Sequence, residues 1–278
     1  MNLRYQRLFD AAGASTAVIP FLVLGDPDFD TSARLLDALA GHGIDAIELG
    51  LPFSDPVADG PVVQAASVRA LAAGATPERC WTLVERLRAR APDLPIGLLV
   101  YANLVVHRGA TAFYHRAARA GADSVLIADV PVAEVDPFVA EAENHGIAPV
   151  LIAPPNASPE RLARIARITR GYTYVTSRAG VTGARGPDPA VLAPILAALR
   201  ALGAPPPVLG FGIAEPDHVH TAGRLGARGV ITGSALISRI EAARCAGDDP
   251  AQQATGFLAT LQAAAMDRQA GGSPSHHP

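Results

Sequence analysis

Eight short apolar runs, alternating with stretches of helical spacing, constrain the fold of this chain more than any other feature of it. They occupy residues 18–24, 44–49, 95–101, 124–128, 148–152, 172–176, 207–210 and 229–232. The first of them, Val18-Ile19-Pro20-Phe21-Leu22-Val23-Leu24, is apolar throughout, which suits a strand covered on both faces. Helical spacing recurs over 3–12, 31–39, 62–72 and 76–90, with Gly41 and Gly43 as stops for the second of these. Thr76-Pro77 and Ser158-Pro159 each put a capping hydroxyl and then a proline at a helix start. This alternation, in 278 residues, predicts an α/β fold, a single (β/α)8 TIM barrel over residues 1–266. An open doubly wound sheet is the alternative, but Gly25-Asp26-Pro27 is not its first-turn fingerprint G-x-G-x-x-G. Residues 267–278 are polar and are expected to form a disordered tail.

Composition narrows the chemistry. A net charge of −3 offers nothing to nucleic acid or an anionic membrane. No apolar run approaches the roughly 20 residues of a membrane span, and the N-terminal residues lack the apolar stretch of a signal peptide. Two distant cysteines, Cys80 and Cys245, make no disulfide framework, so a cytoplasmic location is expected. All 23 basic side chains are arginine. A chain without lysine forms no lysine Schiff base, neither with a carbonyl substrate nor with pyridoxal phosphate.

In a barrel, function is expected in the loops that follow the strands' C-terminal ends. The second such loop is the most unusual. Ile47 and Leu49 alternate in facing with Glu48, so Glu48 projects into a packed interior, where an unpartnered carboxylate costs several kcal/mol. Asp55 and Asp59 follow in the Gly/Pro-shaped loop, and either one alone could be a turn or cap carboxylate. Gly183, Gly212 and Gly233, after strands six to eight, allow close backbone approach to an anion. Gly233-Ser234 also opens a helical stretch whose positive end favours a phosphate. The sixth loop, from Arg178 to about Pro189, is rich in Gly, Ala and Pro, as suits a lid or an ordinary mobile loop. Only His107 of eight histidines lies near a mouth loop, and His218 and His220 do not share a helix face, so no metal site is expected.

Glu48-Leu49-Gly50-Leu51-Pro52-Phe53-Ser54-Asp55-Pro56-Val57-Ala58-Asp59-Gly60-Pro61 resembles the signature of the tryptophan synthase α chain. Further matching segments appear in the family's order from about residue 4 to residue 262. They include Tyr101-Ala102-Asn103, Ala128-Asp129-Val130-Pro131, Ser177-Arg178-Ala179-Gly180-Val181-Thr182-Gly183 and Gly210-Phe211-Gly212-Ile213. Val23, where threonine is expected, and the polar extension after Met266 are slight departures. The resemblance implies retro-aldol cleavage of indole-3-glycerol phosphate to indole and glyceraldehyde 3-phosphate. It makes Glu48 the acid/base at indole C3 and at the glycerol hydroxyl, Asp59 the partner of the indole N–H, and Tyr174 an assisting hydroxyl. It places Phe21, Leu99, Ile152 and Phe211 around the substrate. Thr182 and Gly183 close the lid, and Gly212, Gly233 and Ser234 hold phosphate. It further implies a β-chain partner in an α2β2 heterotetramer, docked on Phe53, Asp55, Pro56, Asp129 and Arg178. Pyridoxal phosphate is expected in that partner, with no cofactor in this chain.

Two other readings share the same residues. A regulatory subunit that binds ligand without turning it over is disfavoured by the intact Glu48/Asp59 pair. A stand-alone lyase that releases indole to solution needs the same site.

Overall fold

The computed structural model describes residues 3–13, 15–176, 186–210 and 212–266. After helix α1 (Leu3–Ala11) come β1 (Ala17–Val23), α2 (Phe29–His42), β2 (Ile47–Gly50), α3 (Pro61–Ala72), α4 (Pro77–Arg90) and β3 (Ile96–Val100). The middle of the chain forms α5 (Ala102–Val106), α6 (Ala110–Ala120), β4 (Ser124–Ile127), α7 (Asp136–Asn144), β5 (Ala148–Pro149), β6 (Ile152–Ala153) and α8 (Pro159–Ile168). It ends with β7 (Thr173–Thr176), α9 (Pro189–Ala201), β8 (Pro207–Gly210), α10 (Pro216–Leu225), β9 (Gly229–Thr232), α11 (Ser234–Ala246) and α12 (Pro250–Met266). The expected tail at 267–278 and the lid residues 177–185 lie outside the described residues.

The strands form one parallel sheet in the order β5-β4-β3-β2-β1-β9-β8-β7-β6. The fifth apolar run, expected as one strand, is divided into β5 and β6, and these stand at the two ends of that order. Their continuity through Val150 and Leu151 closes the ring. Val150 N donates to Val125 O (3.0 Å) on one side, and Tyr174 N donates to Leu151 O (3.1 Å) on the other. The run splits because it changes partner, pairing first with β4 and then with β7. Pro149, at the end of β5, faces away from β4, where its carbonyl accepts from Arg170 N (2.8 Å) and it has no N–H to offer.

Helix boundaries follow local chemistry. Thr76 and Ser158 accept the N–H groups of Arg79 and Arg161 and cap α4 and α8. α2 is longer than its spacing predicts. Asp28 caps its start by accepting from Thr31 N (2.8 Å), Gly41 stays within it, and Gly43, at φ 80°, ends it. α12 returns to pack against α2, α10 and α11. Among the described residues no helix is long and apolar enough to cross a membrane.

The barrel interior is polar at one level. Register aligns Glu48 with Gly97, and Gly97 with Ser124. α1 sends Tyr5 into this layer, where its hydroxyl and that of Ser124 share a 2.7 Å hydrogen bond. Gly97 makes the room, since a Cβ there would stand 3.0 Å from Ser124 Oγ and 3.2 Å from the Tyr5 hydroxyl. Beside it, Asp123 accepts from Ile96 N (2.8 Å), Arg4 (2.8 Å) and Arg88 (2.7 Å), which ties α1 and α4 to the foot of the sheet.

Candidate active site

Glu48 lies near the C-terminal end of β2 with 1% of its surface exposed. Its Oε1 accepts from the Tyr172 hydroxyl at 2.8 Å, and its Oε2 is buried without a hydrogen-bond partner among the described residues. Such an oxygen is costly unless something else meets it. Burial pushes the Glu48 carboxyl up to about 7, Asp59 adds to the rise, and the Tyr172 hydrogen bond opposes it. Near neutral pH the group therefore populates both its proton-donating and its proton-accepting forms. Tyr172 remains a donor, because burial and the adjacent Glu48 charge hold its hydroxyl well above the usual range.

Asp59 sits in the turn before α3, and its backbone is fixed from both sides. Its N–H donates to Pro56 O (3.1 Å), and its carbonyl accepts from Gln64 Nε2 (2.7 Å). Burial raises its carboxyl to about 6, against the lowering effect of a hydrogen bond from the Tyr101 hydroxyl. That hydroxyl also accepts from Ala58 N at 3.2 Å, so Tyr101 holds two successive residues of the loop. Phe53 stacks on the Tyr101 ring at 5.2 Å and 22°. The loop is thus folded onto β3, which carries the second carboxylate to the first.

Glu48 and Asp59 open into one cavity of about 220 Å³. Phe21, Leu99, Val63 and Ile231 give it apolar walls, Tyr174 joins them, and Gly212, Gly233 and Ser234 are also part of its lining. Phe21 spans from the acidic to the glycine side, being paired in register with Glu48. Its ring fits because a Cβ at Gly50 or Gly233 would come within 2.9 or 3.0 Å of it. Tyr174 likewise covers Gly210, where a Cβ would overlap its hydroxyl. Gly212 adopts φ 78°, a conformation other residues rarely hold. Ser234 opens the 13-residue helix α11, whose first-turn N–H groups favour an anion.

The structure thus brings Phe21, Glu48, Asp59, Leu99, Tyr174, Gly212, Gly233 and Ser234 to one cavity. Ile152 is in register with Tyr174 but lines a neighbouring cavity of about 210 Å³, with Ile127 and Thr176. Arg178, Thr182, Gly183 and Phe211 lie outside the described residues. Of the residues expected at a partner surface, Asp55 is exposed and accepts from Ser54 Oγ (2.5 Å), Pro56 is half-exposed, and Phe53 is half-buried against Tyr101. Asp129 is exposed, with Oδ1 accepting from Ala102 N (2.8 Å) at the start of α5. No group of three metal-ligating side chains occurs among the described residues.

Sequence reasoning missed the two tyrosines that serve the carboxylates. Tyr172 stands two residues before Tyr174 and shares its face of the strand, so the period of two could have found it. Tyr101 stands in a mouth loop, but nothing local pairs it with Asp59. The Tyr172 contact carries a prediction. Tyr172→Phe removes the one hydrogen bond among the described residues that stabilises ionised Glu48, so the Glu48 carboxyl should titrate above about 7. A ¹³C NMR titration of labelled glutamate checks this, and a midpoint equal to or below that of the unmodified protein would refute it.

The family model described as tryptophan synthase alpha chain matches residues 9–268. A tryptophan synthase alpha chain of Shewanella amazonensis is 56% identical over 241 residues, covering 86% of this chain and 91% of the relative. One from Vibrio cholerae is 50% identical over 262 residues, covering 94% and 97%. Among solved structures, tryptophan synthase subunit alpha of Legionella pneumophila superposes with a TM-score of 0.86 at 31% identity, over 95% of this chain and 98% of that one. A chain from the mutually activating tryptophan synthase α2β2 complex of Pyrococcus furiosus gives a TM-score of 0.81 at 34% identity, over 90% and 98%. On matches of this length and identity, the chain belongs to the tryptophan synthase alpha chain family.

Proposed function

We propose that Glu48 and Asp59 divide the proton transfers by which this protein cleaves indole-3-glycerol phosphate to indole and glyceraldehyde 3-phosphate, a step of tryptophan biosynthesis. The observation that carries the reading is the buried Oε2 of Glu48, without a hydrogen-bond partner among the described residues, in one cavity with Asp59, Gly233 and Ser234. Protonated Glu48 gives its proton to C3 of the indole ring, and the ring nitrogen takes up the positive charge as an iminium. Asp59, with its carboxyl near 6, faces that N–H as a carboxylate and stabilises the charge. Glu48, now ionised, removes the proton from the glycerol hydroxyl. The C–C bond breaks, its electron pair restores the aromatic ring, and the aldehyde forms. Glu48 ends as it began, protonated, so the cycle needs no lysine. The substrate itself serves as the electron sink.

Phe21 and Leu99 form the apolar bed for the indole ring, and Tyr174 supports the glycerol hydroxyls. The phosphate lies against the backbone of Gly212 and Gly233 and the start of α11, where the N–H groups meet a dianion without a basic side chain. Purified protein incubated with indole-3-glycerol phosphate should release indole and glyceraldehyde 3-phosphate in equal amounts. Binding without turnover would favour the regulatory-subunit reading instead.

The partner is the tryptophan synthase β chain. Within that assembly we place the pyridoxal phosphate on the β chain, and the docking surface on Phe53, Asp55, Pro56, Asp129 and Arg178. Phe53 is linked to the chemistry through its stack on Tyr101, which in turn holds Asp59. Pressure on Phe53 from a partner thereby reaches a catalytic carboxylate through two contacts. Partner and substrate must then strengthen each other's binding by the same factor. The isolated chain should cleave slowly and clearly accelerate when β chain is added, and the affinity for a substrate analogue should rise by about 5- to 150-fold, the range for a coupling of about 1–3 kcal/mol. Full activity alone, unchanged by the β chain, would favour the stand-alone lyase.

A further inference from the structure

The segment Gly212-Ile213-Ala214 lines the cavity beside Gly233 and Ser234, and one of its peptide units is held from both sides. The Ile213 carbonyl accepts from Thr232 Oγ1 at 2.8 Å, in a fully buried bond. The N–H of the same peptide, on Ala214, donates to His218 Nδ1 at 3.2 Å. In a trans peptide the two groups point in opposite directions, so Thr232 and His218 grip the plane from opposite edges. Thr232 immediately precedes Gly233, which joins this wall of the cavity to the start of α11. Gly212, at φ 78° and without a Cβ, offers little resistance to rotation of the peptides around it. The clamp supplies the order that the glycine does not.

The bond to His218 serves the loop and not the helix that bears it. His218 is in the first turn of α10, whose N-cap is Glu215. Ala214 precedes that cap, so its N–H is not among the unsatisfied amides of the helix. To accept at Nδ1 the imidazole must carry its proton on Nε2. That edge lies against the main chain of Gly186, where a Cβ would stand only 2.5 Å from Nε2. The ring is therefore wedged between Gly186 and the cavity wall, and its orientation is set by packing.

We propose that His218 is a positioning residue for the phosphate end of the site, acting through the Ile213–Ala214 peptide. The proposal rests on the phosphate reading given above. Its test is the affinity of the full chain for glycerol 3-phosphate and, separately, for indole, measured by calorimetry. His218→Ala should weaken glycerol 3-phosphate by about tenfold, the effect of losing one positioning hydrogen bond, while indole changes by less than about twofold. His218→Asn puts an amide oxygen close to the place of Nδ1 and should restore the affinity. Thr232→Val, which is isosteric and releases the other edge of the same peptide, should reproduce the loss, and it carries the test if His218→Ala does not fold. Unchanged glycerol 3-phosphate affinity in both variants would overturn the proposal, as would equal losses for indole, or an Asn variant no better than Ala. If the unmodified protein binds indole but no glycerol 3-phosphate, the phosphate reading itself fails, a result distinct from these.

Discussion

Glu48→Gln is expected to lose at least about a hundredfold in turnover while keeping its fold, the range for a positioned acid or base. The glutamine carbonyl can still accept from the Tyr172 hydroxyl, so the local contact at 2.8 Å survives and only the proton chemistry is lost. Asp59→Asn should lose a similar factor, because its amide oxygen can accept from Tyr101 but carries no charge to set against an iminium. A control reads the same residue through stability. Glu48 titrates near 4.5 when unfolded and about 7 when folded, so the folded chain binds that proton more tightly. Its stabilising contribution is complete below about 4.5 and is lost as pH rises through about 7. Glu48→Gln removes this slope, which thermal unfolding followed against pH would reveal. A variant that keeps more than about a tenth of the turnover would remove Glu48 from the acid/base role.

Gly233→Asp is expected to raise KM for indole-3-glycerol phosphate by about a hundredfold. One negative charge about 5 Å from a dianion costs about 3 kcal/mol when partly screened, which corresponds to that factor. The backbone at Gly233 has φ −116°, outside the left-handed region that favours glycine. Crowding is the competing effect, since a Cβ meets Phe21 Cδ1 at 3.0 Å. Gly233→Ala isolates it, introducing the same contact without charge, and should raise KM far less. A dephosphorylated substrate analogue separates the two causes again, because it should be cleaved by Gly233→Asp with a much smaller penalty. Equal losses on both substrates, or equal losses in the Ala and Asp variants, would assign the effect to Phe21 and not to phosphate.

What the sequence determined by itself was whatever short-range chemistry encodes. Periodicity separated strands from helices, hydroxyl-proline pairs marked the starts of α4 and α8, and the Gly/Pro-rich turn drew attention to Glu48 and Asp59. The glycines at 212 and 233 were legible for the same reason, since a close backbone approach is a property of single positions. The fifth run was legible as apolar but not as two pieces. Its division depends on which strands lie on either side of it once the ring has closed. Tertiary structure alone decided the rest. Tyr172 reaches Glu48 across 124 residues, and Tyr101 reaches Asp59 from another strand's end. The same register that puts Ile152 beside Tyr174 leaves it lining the neighbouring cavity. Thr232 meets the Ile213 carbonyl beside Gly233 because β9 lies next to β8 in the closed sheet. Such contacts are set by register and by closure of the barrel, where a slip of one residue turns every side chain of a strand to the opposite face. No local pattern records that choice, because it is made by the packing of the whole sheet.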